Sequence, residues 1–150
     1  MKILVINGPN LQLLGKREVN IYGKVTLNDI GTNLKQVVYD QYNNEIILDF
    51  YQSNHEGAIL DKIADTINNK TDGIIINPAA YTHTSVAILD AIKAVCIPVV
   101  EVHISNIHSR EEFRSKSITA AACIGLISGF GLHGYELALH ALIRILSSKK

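Results

Sequence analysis

Five short apolar runs alternate along the chain with segments whose apolar positions recur at helical spacing. The runs are KILVIN (2–7), EIILDFY (45–51), GIIINP (73–78), IPVVEVH (97–103) and AACIGLIS (121–128). Their near-continuous Ile and Val content is the pattern of strands covered on both faces. Between them, TLNDIGTNLKQVVYDQY, HEGAILDKIADTINN and THTSVAILDAIKAV place apolar residues at a period near 3.6. Thr26, Asn54 and Thr82 or Thr84 supply N-cap signals for these helices. A last helix is expected from about Leu132 to Ser147.

Strict βα alternation predicts an α/β fold, with a parallel sheet and right-handed crossovers. Five strands favour a flavodoxin-like doubly wound sheet of order 2-1-3-4-5. No internal repeat, low-complexity tract or linker interrupts the pattern, so one domain over residues 1–150 is expected. In such sheets a ligand sits beyond the carboxyl ends of the strands, near the switch in strand order. Asn7, Gly8, Pro9 and Asn10 follow the first run, then the long segment LLGKREVNIYG. Asn77 and PAAYTHT follow the third. Glu101, His103, Ser105, Asn106, Arg110 and Arg114 lie at or after the fourth. Polar and titratable groups therefore gather on one edge of the sheet.

Charge and composition narrow the function class. The 150 residues carry 14 basic and 14 acidic side chains, with 47% hydrophobic and 19% charged residues. That balance gives no electrostatic case for nucleic acid or an anionic membrane surface. No stretch reaches the roughly 18 apolar residues of a membrane span, and the opening apolar run is too short for a signal peptide, breaking at Gly8-Pro9. Cys96 and Cys123 sit in apolar sequence without CxxC spacing, so buried free thiols and a cytoplasmic location are expected. Three of the four arginines, Arg17, Arg110 and Arg114, fall in two loop-like stretches, an arrangement suited to an anion or planar oxyacid.

Taken singly, most candidates have plain readings. Asn7 and Asn10 suit a tight turn; Arg17 and Tyr22 suit an exposed loop; His83 suits a helix start and Asp90 a solvated helix face. Glu101-Val-His103 is harder to dismiss, because alternation on a strand points both side chains to one face and makes an acid–base pair. His55 and Glu56 read as first-turn partners of a helix dipole, and His108, His133 and His140, lacking partner spacing, read as structural. No HExxH, Walker loop, GxGxxG or GxSxG occurs, so metal, nucleotide cofactor and serine-nucleophile chemistry are unsupported. Cofactor-free acid–base chemistry is what remains.

Together, NGPNLQLLGKREVNIYG, YQSNHEG, NPAAYTHTSVAILDA and VEVHISNIHSREEFR resemble, in order and across essentially the whole chain, the signature blocks of type II 3-dehydroquinate dehydratases. The resemblance implies a flavodoxin-like fold, assembly into a dodecamer built from trimers, and conversion of 3-dehydroquinate to 3-dehydroshikimate plus water without metal, cofactor or Schiff base. The reaction belongs to the shikimate pathway to aromatic amino acids, or to quinate breakdown. By motif position, Tyr22 resembles the general base and Arg17 the group that activates it. His103 resembles the proton donor oriented by Glu101, and Asn10 the holder of a water or enolate oxygen. Asn77, His83, Ile104, Ser105 and Arg114 match substrate-binding positions, Arg110 a second loop arginine, and Asp90 a residue reaching a neighbouring subunit's site.

The implied chemistry is energetically reasonable. A phenolate base near neutral pH requires a drop of roughly 3 pKa units from about 10, or about 4 kcal/mol. One guanidinium about 4 Å away supplies about 4 kcal/mol at an effective dielectric of about 20. Gln12, Val19, Leu89 and His133 depart from residues frequent in the family, and none is an assigned catalytic group. A dehydratase of a related cyclic hydroxy-keto acid and a non-catalytic flavodoxin-like module are the competing readings. A phosphoacceptor receiver would need carboxylates at the first strand's end to hold Mg²⁺, where this chain has Asn7.

Overall fold

The protein is described by a computed structural model covering residues 1–16 and 24–148. Strands β1 (Lys2–Asn7), β2 (Ile47–Gln52), β3 (Gly73–Asn77), β4 (Val99–His103) and β5 (Gly125–Ser128) form one parallel sheet of order β2-β1-β3-β4-β5. Helices α1 (Leu27–Tyr42), α2 (Glu56–Ala64), α3 (Val86–Val95) and α4 (His133–Ser147) connect or follow the strands. The α/β fold and strand order expected from the apolar pattern are both present.

Side-chain alternation along the strands divides the core into two layers. Ile3 and Val5 of β1, Ile75 of β3, and Val100 and Val102 of β4 pack with Ile30, Leu34 and Val38 of α1 and Leu139 and Leu142 of α4. Leu4 and Ile6, Ile74 and Ile76, and Val99 face the other way, against Ile59 and Ile63 of α2 and Ile88 and Ile92 of α3. The continuous apolar runs reflect this double coverage in β3 and β4, which are buried throughout, and in β1, buried from Ile3 to Asn7. The outer strands depart from the expectation: β2 and β5 contain no buried residue, and Ile47 is 61% exposed, because an edge strand lacks a neighbour on one side.

Local boundaries shift for identifiable reasons. Thr26 caps α1 as expected, in a capping box with Asp29; the Thr26 backbone amide, then its hydroxyl, holds that carboxyl below the usual carboxylate range. Asn54 does not cap α2. The N-cap is His55, and the Asn54 Oδ1 instead accepts from the Asn10 backbone amide at 2.9 Å. Neither Thr82 nor Thr84 caps α3, because residues Ala79–His83 form a 3-10 helix and Ser85 accepts from the Ile88 amide at 2.8 Å. The fifth strand starts at Gly125, since Thr119–Ala122 is another 3-10 turn.

The cysteine expectation needs correction. Cys96 is exposed, at the left-handed residue ending α3. Cys123 is half-buried, and burial, followed by the nearby Glu101 carboxylate, pushes its thiol up to about 12. The structural reading of His140 gains a partner the sequence reading lacked: Tyr42 Oη lies 2.5 Å from its Nδ1, with Glu136 one turn back at 3.6 Å from Nε2.

Candidate active site

Polar groups occupy the carboxyl end of the sheet because the register brings them level. Asn7 aligns with Gln52 on one side and Asn77 on the other, and His103 aligns with Ser128. Above this edge lies a cavity of about 220 Å³, lined among others by Asn10, Asn77, His83, His103, Arg110 and Arg114. Ile104 and Ser105 also line it, so eight of the residues proposed from sequence meet there. It is smaller than the roughly 300–1,000 Å³ typical of drug-sized ligands. No acidic side chain lines it among the described residues, whereas two arginines and two histidines do, a lining whose chemistry suits an anion.

Two polar clusters support the cavity from opposite faces of the sheet. On the α1/α4 face, Tyr135 is fully buried; its hydroxyl donates to Asn7 Oδ1 at 2.6 Å and accepts from Asn77 Nδ2 at 2.9 Å. Burial pushes the Tyr135 hydroxyl well above the usual tyrosine range, and the Asn77 bond only partly offsets it. The Asn77 Oδ1 accepts from the Ala79 amide at 3.2 Å. Nδ2 retains a second hydrogen for a ligand.

On the opposite face, Glu101 is fully buried and His103 is 6% exposed, with His103 Nε2 2.7 Å from Glu101 Oε1. The pair expected from alternation on a strand is present. Because Nε2 is engaged, Nδ1 is the ring nitrogen left for a bound molecule, and it has no protein partner among the described residues. His83 is oriented in the same manner, by a 2.7 Å bond from Nδ1 to the Lys116 carbonyl, which leaves Nε2 as an acceptor in the neutral ring.

Asp90 stands exposed on α3 and does not line its own chain's cavity. Arg17 and Tyr22 lie outside the described residues. Sequence reasoning missed Tyr135, Ser117 and Thr119; the last two donate to Glu101. None carries a local signal, because each acts on residues distant in the chain. Among the described residues, no group of three or more His, Cys, Asp or Glu side chains could hold a metal ion, and no helix is long and apolar enough to cross a membrane.

Residues 1–143 match the family described as dehydroquinase class II. The chain belongs to that family. It is 59% identical over 145 residues to the 3-dehydroquinate dehydratase of Caldicellulosiruptor bescii, covering 97% of this chain and 98% of the relative. It is 53% identical over 148 residues to that of Clostridium botulinum (strain Kyoto / Type A2), covering 99% and 98%. The crystal structure of type II dehydroquinase from Butyrivibrio crossotus superimposes with a TM-score of 0.90 at 51% identity, covering 95% of this chain and 97% of that one. Family membership and the flavodoxin-like topology thus agree, and the cavity is lined from three stretches, within 9–14, 77–83 and 103–114.

Proposed function

We propose that the chain is a hydro-lyase, a 3-dehydroquinate dehydratase, acting as a single catalytic domain over residues 1–150. The observation that carries this reading is the meeting of His103, backed by buried Glu101, with Arg110 and Arg114 in one small cavity, in a chain whose relatives bear that name. The substrate is a β-hydroxy ketone with a carboxylate. Its elimination requires a base for the proton beside the carbonyl, a donor to the enolate oxygen, and an acid for the departing hydroxyl.

Arg114 binds the carboxylate, with Arg110 beside it. Asn77, His83 and the Ile104–Ser105 segment bind the ring hydroxyls. His103, held by Glu101, gives its proton to the leaving hydroxyl, and Asn10 holds the water or enolate oxygen. Tyr22 is the base, and the guanidinium of Arg17 lowers the cost of its phenolate. Base and acid on opposite sides of the ring produce an anti elimination through an enolate, without metal or other cofactor. Exposed apolar side chains such as Phe113, Phe130 and Ile124 support assembly into a dodecamer built from four trimers, in which Asp90 reaches a neighbouring site. The reaction serves the shikimate route to aromatic amino acids, or quinate breakdown, in the cytoplasm.

The test is absorbance of the conjugated enone after purified protein meets 3-dehydroquinate, with EDTA and borohydride controls. Product formation insensitive to both is expected, and loss of turnover in Tyr22→Phe with substrate binding retained. A folded protein that gives no enone, or an active Phe variant, overturns respectively the substrate or the base.

A further inference from the structure

We infer that the short segment Lys116–Thr119, which touches the cavity with none of its own side chains, is the positioning element for both cavity imidazoles. Within it, Ser117 and Thr119 are positioning residues for the acid step. The inference rests on the reaction proposed above.

Glu101 is fully buried and is met from every side by donors. His103 Nε2 and the Ser117 hydroxyl reach Oε1, at 2.7 and 2.6 Å. The Thr119 hydroxyl reaches Oε2 at 2.5 Å, with the Cys123 thiol farther off at 4.0 Å. Each hydroxyl has a single hydrogen, and both are committed to this carboxylate. The Ser117 oxygen in turn accepts the Ala120 amide at 2.9 Å, which fixes the direction of its hydrogen. Held at both oxygens, the Glu101 carboxyl group cannot turn away from His103 without giving up the Ser117 or the Thr119 contact.

The same four residues hold the second imidazole. The Lys116 carbonyl takes the His83 Nδ1 at 2.7 Å, and the Ile118 amide donates to the Thr82 carbonyl at 2.9 Å. One segment therefore ties the turn after β3, which carries His83, to the end of β4, which carries Glu101 and His103. The two rings are thus tied together by a stretch that does not line the cavity. Thr119 is itself fully buried, so its hydroxyl has no solvent to bond and Glu101 Oε2 is its partner.

The test compares Thr119→Val, which keeps the shape and removes the donor, with Thr119→Ser, which keeps the donor. For folded Thr119→Val, kcat is expected to fall about 10- to 100-fold, the order lost when a general acid is misplaced. KM should stay within about twofold, because the carboxylate clamp is untouched. Thr119→Ser should recover most of the lost kcat. A Val variant with wild-type kcat, or a Ser variant as impaired as the Val one, overturns the inference.

A crystal structure of Thr119→Val supplies a readout independent of turnover. Glu101 is expected to rotate and the 2.7 Å contact to His103 to be lost; an unmoved pair overturns the inference even where wild-type protein makes no enone. Absence of enone in wild type speaks instead against the proposed substrate. The two failures are separable.

Discussion

Tyr135→Phe isolates one hydroxyl at the base of the cavity. The ring remains to fill the space against α1 and the sheet, so no cavity is created. What disappears is the group that accepts from Asn77 Nδ2 and donates to Asn7 Oδ1, at 2.9 and 2.6 Å. Asn7 and Asn77 are only 2% and 3% exposed, so water does not replace it. Each buried polar atom left without a partner costs about 1–3 kcal/mol. Allowing for some rotation of the two amides, the pair costs about 2–4 kcal/mol. In a chain of this size each kcal/mol moves the melting temperature by about 2–4 °C, so a fall of roughly 4–16 °C is expected. Scanning calorimetry at neutral pH and fixed protein concentration measures it. KM should rise as well, since Asn77 loses the bond that fixes its amide. A double-mutant cycle with Asn7→Ala should show a coupling of about 1 kcal/mol or more, because the two share a bond. A melting temperature within about 2 °C of wild type would refute the reasoning and mean that the network is satisfied in some other way.

Gly8→Ala places a methyl carbon 2.4 Å from the Pro78 carbonyl oxygen. Either backbone must shift, and a loss of about 1–3 kcal/mol is expected in denaturant unfolding. Arg114→Lys replaces a bidentate clamp by a point charge, so steady-state kinetics should show a raised KM with kcat largely kept; a fall in kcat alone would assign Arg114 to the chemistry. Stability should decline on the alkaline side. The Cys123 thiol titrates near 9.0 when unfolded and about 12 when folded, so its contribution is whole below about 9 and is lost as pH rises toward about 12. Tyr135, raised by burial, adds to the decline in the same direction. Urea midpoints from pH 7 to 10.5 should fall, and less steeply in Cys123→Ala.

What the sequence disclosed follows the range of the interactions involved. Strand order and the two core layers are encoded by runs such as Ile74–Ile76, whose burial on both faces leaves an unbroken apolar string. Glu101 and His103 were legible because a period of two is all that is needed to put them together. Their supporters were not: Ser117 and Thr119 lie 16 and 18 residues beyond Glu101, and Tyr135 lies 58 and 128 residues from Asn77 and Asn7. Pairing across such distances is set by the crossover path, which no local pattern records. Asn54 misled as a cap because its side chain serves the Asn10 backbone, a contact between two loops. Cys96 misled because apolar neighbours in sequence do not bury a residue that ends a helix. Eight of the proposed residues line the cavity, whereas the roles of Arg17 and Tyr22 rest on their match to the family's motif.

The tight passage at Gly8 bears on how such a site can diversify. The Gly8 amide donates to the Asn77 carbonyl at 2.8 Å, the Ser53 amide donates to the Asn7 carbonyl at 3.0 Å, and the Pro78 carbonyl fills the place of any side chain at position 8. The turns after β1, β2 and β3 are thus interlocked, so a change in one requires matching changes in the others before the chain folds again. They are inherited as a block. Selection for a new substrate would find little freedom there and more in residues 108–114, where short turns carry the two arginines and, among the described residues, the hydrogen bonds stay within 106–115. A lineage descending from this protein would keep its floor and rewrite its arm.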